Sequence, residues 1–90
     1  MSDPSLATVW SRITAHSGQS FTLTRGQKFT YSMYGAYLLP DGRARRLSRT
    51  NFGNALHRLP LENTRSVADL QGSSYVYSIL MDRRISQGDW

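Results

Sequence analysis

The apolar positions of this chain change period twice. From Leu6 they recur at helical spacing: Leu6, Val9, Trp10 and Ile13 stand at i, i+3, i+4 and i+7. Asp3 followed by Pro4 reads as an N-cap with proline at the first helical position, and Gly18 reads as a stop. The pattern predicts a helix over about 4–16, with His16 near its C-terminus as a surface histidine. The period then shortens to two. Phe21 and Leu23 alternate with polar neighbours over 20–24, Arg25-Gly26-Gln27 turns the chain, and Phe29, Tyr31 and Met33 alternate with Thr30, Ser32 and Tyr34 over 28–34. Gly35 interrupts the run, 36–39 is a third short apolar strand, and Pro40-Asp41-Gly42 is strong turn chemistry. Residues 43–47 are expected to return as a fourth, edge strand, where arginines also discourage edge-to-edge aggregation.

Helical spacing resumes after Ser48, a predicted N-cap. Leu47 and Phe52 flank it with the spacing of a hydrophobic staple. Phe52, Ala55, Leu56 and Leu59 form the stripe of a helix over 49–59, which Pro60 ends. Gly53 weakens that helix by about 1 kcal/mol relative to alanine, and it either allows close backbone approach or is simply tolerated. Thr64 is positioned to cap a short helix over 65–70, Gln71-Gly72-Ser73 is a break, and Ser74 is positioned to cap a last helix over 74–85 with Tyr75, Val76, Ile79, Leu80 and Ile85 inward. Ser86 to Trp90 reads as a loose tail unless Trp90 packs. Strands gathered before helices predict an α+β fold: an N-terminal helix, a three- to four-stranded antiparallel meander, then two or three C-terminal helices.

Ninety residues are expected to form one small basic domain over 1–90. A chain of this size buries roughly 60–65% of its unfolded surface, so its core is modest. With no cysteine, disulfides and thiolate chemistry are excluded. No signal-like segment and no run of membrane-spanning length is present, so a cytoplasmic address and no membrane partner are expected. Two histidines, His16 and His57, and six scattered carboxylates show neither metal-ligand spacing nor a nucleophile motif. No catalytic residue, metal or cofactor is therefore expected. Were the protein an enzyme, His57 beside Arg58 and Arg49 would be the place to look.

Charge changes the picture most. The chain carries a formal +5, and ten of its eleven basic residues are arginine. Arg43, Arg45, Arg46, Arg49 and Arg58 lie between residues 43 and 60 with no acid among them. Arginine grips phosphate bidentately and stacks on bases, which lysine does not. Free N–H groups at the start of the 49–59 helix also favour anions. Arg43, Arg45, Arg46 and Arg49, with Thr50, Asn54, His57 and Arg58 on the polar side of that helix, are candidate nucleic-acid contacts. The alternative is a solvated charged face, although such faces normally mix both signs.

The short helix from about Thr64, the break at Gln71 to Ser73 and the longer helix over 74–85 resemble a helix-turn-helix. Ala68 and Gly72 have the spacing of the small residue in its first helix and the glycine in its turn. Ser78 departs from the pattern, standing where the second helix usually buries an apolar residue. The resemblance covers about twenty residues, and it implies that Ser73, Ser74, Tyr77, Ser78 and Arg84 face DNA. Tyr34 and Tyr37, flanking a strand turn, supply a third route, the stacking of exposed bases.

Together these features predict a non-enzymatic module that binds nucleic acid, with double-stranded DNA as the expected ligand, acting alone, as a homodimer or as a detached domain of a larger protein. The rival expectation is an adaptor or inhibitor whose arginines meet an acidic protein partner. Arginines joined in one positive surface favour the first. Arginines individually paired with Asp41, Asp69 or Asp82 would mean that the cluster serves the fold.

Overall fold

In the computed structural model, which describes residues 5–42 and 45–90, helix α1 runs Leu6–Ala15. Its described N-cap is Ser5, whose hydroxyl accepts from the Thr8 N–H at 3.2 Å. The expected cap Asp3-Pro4, and Arg43 of the cluster, lie outside the described residues. Val9 and Ile13 are fully buried, and the edge of Trp10 meets Phe52 with ring centroids 5.6 Å apart.

Among the described residues five short strands follow: β1 (Phe21–Thr22), β2 (Lys28–Phe29), β3 (Tyr31–Tyr34), β4 (Tyr37–Pro40) and β5 (Leu47–Ser48). The expected single meander is divided. β1 and β2 form a two-stranded sheet, and β3, β4 and β5 form a three-stranded antiparallel sheet in that order. The chain changes sheets at Thr30, whose hydroxyl donates to the Asp41 carboxylate while the Asp41 N–H returns to its carbonyl at 3.0 Å. Phe29 and Tyr31 still face the same way, because alternation continues through the break. Phe21 joins them, with ring centroids 6.1 Å from Phe29 and 5.3 Å from Tyr31. Among the described residues of the expected strand over 43–47, only Leu47 is paired, with Ser48 continuing the ladder. Pro40 ends the neighbouring strand and has no N–H to extend that ladder.

Helix α2 (Arg49–Leu56) is capped by Ser48 as predicted, its hydroxyl accepting from the Asn51 N–H at 3.1 Å. It stops three residues short of Leu59, because the residue before a proline avoids helical backbone. Phe52 and Ala55 are buried, whereas Leu56 is half-buried. Gly53 is buried against α1: a Cβ there would stand 2.9 Å from a terminal methyl of Leu6, which would have to shift to admit it.

The remainder departs further from expectation. Thr64–Val67 is a single 3-10 turn capped by Asn63, not an α-helix capped by Thr64. The expected helix over 74–85 is two helices, α3 (Ser73–Leu80) and α4 (Arg83–Ser86). Asp82 divides them: extended at φ −72° and ψ 137°, it accepts the Arg84 N–H at 2.9 Å. Aspartate is a better N-cap than interior helix residue, and here it takes that role. Ser74 does not cap α3; the N-cap is Gly72, at φ 64°. A Cβ on Gly72 would stand 2.5 Å from Leu47, so only glycine lets the start of α3 lie against β5. The C-terminal segment is held. Trp90 donates its indole N–H to the Leu80 carbonyl at 2.8 Å, and Arg12 pairs with Asp89 at 2.7 Å while bonding the Ile85 carbonyl at 3.0 Å.

Val9, Ile13, Tyr31, Leu38, Phe52, Val76, Ile79, Leu80 and Ile85 are core residues with no exposed surface. Leu80→Ala is expected to cost about 2–5 kcal/mol in urea melts, and half-buried Leu56→Ala less, because the cost follows the cavity left behind. Equal costs would contradict the burial of these two side chains.

Tyr31 is the largest of the buried side chains, and its hydroxyl donates to the Ile13 carbonyl at 2.6 Å. Burial pushes its phenol pKa up. The fold therefore favours the protonated form. That stabilisation is complete below the ordinary tyrosine value of about 10 and declines as pH rises past it. Tyr31→Phe is expected to cost about 1–3 kcal/mol at neutral pH and to flatten the alkaline loss of stability. If melts of the two proteins declined in parallel above pH ~10, Tyr31 would not be the group responsible.

Candidate nucleic-acid interface

The three-stranded sheet places its two faces in different surroundings. In the β3–β4–β5 register, Met33, Leu38 and Leu47 form one row on the inner face, and Tyr31 pairs with Pro40 beside them. The outer face carries the row Tyr34–Tyr37–Ser48, with Ser32 opposite Leu39. Tyr34 and Tyr37 close a two-residue turn, Gly35-Ala36, in which Gly35 has φ 58°. Type II′ turns place glycine at this first central position. The turn is anchored to α2, since the Arg49 N–H donates to the Ala36 carbonyl at 2.8 Å. Helix and sheet thus meet at the two tyrosines.

The predicted arginines do not all gather here. Arg46 lies on the outer face, its guanidinium 5.4 Å from the centre of the Tyr37 ring, within cation–π range. Arg45, one residue earlier, borders a cavity of about 250 Å³ with Leu47, Gly72 and Tyr75. Neighbours along an extended chain point opposite ways, so these two arginines address different surfaces. Arg49 opens α2 beside the hairpin turn. It is half-buried, and among the described residues its buried Nε has no hydrogen-bond partner. Thr50 is exposed in the first turn of α2, and Asn54 is exposed one turn later.

The other candidates lie elsewhere. His57 and Arg58 are at the far end of α2, about 12 Å along its axis from Arg49. Arg58 is engaged with Asp69 in a two-pronged pair, Nη2 to Oδ2 at 2.9 Å, and also donates to the Ser66 carbonyl at 3.2 Å. The bond from Arg58 holds the Asp69 carboxyl below its ordinary pKa. Arg84 is still more committed. It donates to both Asp82 oxygens at 2.9 Å, to Gln19 at 3.1 Å and to the Ser20 carbonyl at 2.8 Å, and stacks 3.9 Å from the centre of Phe21. Arg58 and Arg84 are therefore fold cross-links. Ser74 is exposed near the start of α3, Tyr77 is half-buried and Ser78 is buried, its hydroxyl without a partner among the described residues. Ala68, the expected crossing residue of a helix-turn-helix, is exposed beyond a single 3-10 turn. The 64–80 segment thus lacks the crossed helix pair that the resemblance implied.

A second region was not anticipated. Cavities of about 620, 170 and 250 Å³ all border Tyr75, whose ring stands edge-on to Phe29 at 4.9 Å. Arg25, Lys28 and Arg45 lie around them. The β1–β2 hairpin approaches α3 only in three dimensions, and the sequence around Arg25 and Lys28 carries no signal of that approach.

The histidines are apart from both regions. His16 Nδ1 lies 2.7 Å from the Arg12 carbonyl, and His57 is exposed. Among the described residues, no cluster of three or more acidic or histidine side chains could hold a metal ion, and no helix is long and apolar enough to cross a membrane.

No protein-family model, curated protein or solved structure matches this chain.

The Arg84 cross-link has a consequence for pH. Its hydrogen bonds hold the Asp82 carboxyl below the usual value. The depressed carboxylate contributes stability above the ordinary aspartate value of about 3.9, and that contribution is lost as pH falls through the folded value. Asp82→Asn, which can still cap α4, is expected to lower stability at neutral pH and to flatten its acid limb. Thermal melts from neutral to acid pH test this; a variant whose stability falls as steeply as wild type would show that other carboxylates dominate.

Proposed function

We propose that the chain is a non-enzymatic nucleic-acid-binding module whose contact surface is the outer face of β3–β4–β5, continued onto the start of α2. The observation that supports it is the placement of Arg46 and Arg49 beside the Tyr34–Tyr37 row. Arg46 stands over the Tyr37 ring, and among the described residues neither it nor Arg49 has an ion pair. Cations without acids beside aromatic rings suit a ligand that offers phosphates and flat bases. Arg45 would extend the positive surface around the edge of β5.

Support for a duplex ligand is thinner than the sequence alone suggested, because Arg58 and Arg84 are tied to acids and the 64–80 segment is not a crossed helix pair. A protein partner with an acidic surface remains the rival, since exposed tyrosine and arginine also make protein hot spots. Unrelated oligonucleotides that fail to compete with such a partner would favour that rival.

Arg45→Gln with Arg46→Gln tests the proposal. The variant is expected to keep its thermal midpoint, because exposed charges contribute little to stability. Its affinity for an oligonucleotide, read by fluorescence anisotropy at low salt, is expected to fall. Each lost phosphate contact removes about 0.7–0.9 from the slope of log K against log salt, so the slope should flatten by that much for Arg46 and by roughly 1.4–1.8 where the ligand wraps the edge of β5 to reach Arg45. A folded variant with the wild-type slope would place the contact surface elsewhere, and a wild-type protein that binds no nucleic acid at low salt would end the proposal.

A further inference from the structure

Tyr34 and Tyr37 are 59% and 43% exposed, although both are bulky and apolar enough to have been buried. They are cross-strand partners, so both rings rise from one face of the sheet with Cβ atoms about 4.5–5.5 Å apart. The turn between them is short and pinned to α2 through the Arg49–Ala36 hydrogen bond, so the pair sits on a rigid support. Arg46 adds a cation over Tyr37 at 5.4 Å. The contrast with Arg84, 3.9 Å over Phe21 and held by four polar bonds, is informative: Arg84 seals a buried ring, whereas Arg46 accompanies an open one.

Resting on the nucleic-acid reading above, we infer that the occupant of this face is a single strand, two of whose unpaired bases stack on Tyr34 and Tyr37 while Arg46 and Arg49 take its phosphates. In a duplex the base faces are covered by their neighbours, and only edges and phosphates are offered to a protein. An exposed pair of rings on a sheet face gains nothing from edges. It gains from base faces, which every unpaired base presents. A duplex reader instead needs an element that enters a groove, and the helix with that expected role, α3, has Val76, Ser78, Ile79 and Leu80 buried. The charge is complementary to a phosphodiester strand, since residues 43–60 contain arginines and no acid. Stacking on tyrosine is tolerant of base identity, so weak sequence preference follows.

The test compares three fluorescent probes of equal length, roughly 12 nucleotides as suits a site of this kind: oligothymidylate, the same strand made abasic, and a duplex. Wild-type protein is expected to bind oligothymidylate more tightly than either of the others at low salt. Tyr34→Ala with Tyr37→Ala is expected to weaken oligothymidylate binding at least about fivefold, the low end for loss of one stacked base, and to leave abasic-strand binding unchanged. Tyr34→Phe with Tyr37→Phe keeps the ring faces and is expected to restore affinity. A second measurement needs no variant: photocrosslinking of wild type to an oligothymidylate carrying iodouracil, mapped by mass spectrometry, is expected to label Tyr34 or Tyr37. Equal affinity for all three probes, no loss in a folded double-alanine variant, or crosslinks confined to other residues would each overturn the single-strand inference. If equal affinity came with the salt response of the Arg45 and Arg46 variant, the broader nucleic-acid reading would stand. Absence of binding to every probe would take both down together.

Discussion

A sheet of three short strands covered on one face only is the constraint from which the rest of this molecule follows. The core of so small a chain is modest, and here Tyr31, Leu38 and Leu47 are buried while Tyr34 and Tyr37 meet water. Tyr31, Leu38 and Leu47 enter the core, where the rings of Phe21 and Phe29 continue the apolar surface from the smaller sheet. The pleat then leaves no choice for the alternate positions. Tyr34 and Tyr37 stand outward because Met33 and Leu38 point inward. The candidate site is thus the reverse side of the core. Its two rings keep their positions only as long as the inner row holds the register, because a one-residue slip would exchange the two faces.

The arginines divide into two populations, and the acids make the division. Asp69, Asp82 and Asp89 each hold an arginine: Arg58, Arg84 and Arg12. Arg58–Asp69 and Arg12–Asp89 join separate segments, whereas Arg84 lies two residues from Asp82 and crosses the fold through Gln19 and the Ser20 carbonyl. Arg12 ties α1 to the C-terminal residues, and Arg84 ties the start of α4 to the loop before β1. The guanidinium suits this work because its several fixed donors can satisfy a carboxylate and a backbone carbonyl together. No acid lies between residues 43 and 60, and the nearest one before them, Asp41, accepts from the Thr30 hydroxyl. A positive surface therefore remains where the sheet meets the helix, and it supplies the electrostatic half of the proposed contact.

Much of the architecture was legible in the order of hydrophobic periods. The first helix, the hairpins around Gly26 and Gly35, and the Ser48 cap of α2 follow from stripes, alternation and turn residues acting over a few positions. These are local effects, and the local chain contains their causes. Asp82 shows the limit. Read along the chain, it sits within an apolar stripe that continues to Ile85; in the fold it breaks the helix, because its carboxylate caps α4 and receives Arg84 at once. The division of the meander at Thr30 is similar, since the Asp41 side chain that meets it is eleven residues away.

The candidate site was legible in its composition but not in its arrangement. The sequence by itself determined that positive charge is concentrated between residues 43 and 60 and that Tyr34 and Tyr37 flank a tight turn, because both are properties of neighbouring residues. Tertiary structure decided which of these groups meet. It turned Arg46 toward Tyr37 and Arg45 toward Tyr75, withdrew Arg58 and Arg84 into ion pairs, and set the start of α2 against the hairpin turn. The reason is that charge and periodicity are carried along the chain, whereas the availability of a side chain depends on what the rest of the fold places beside it.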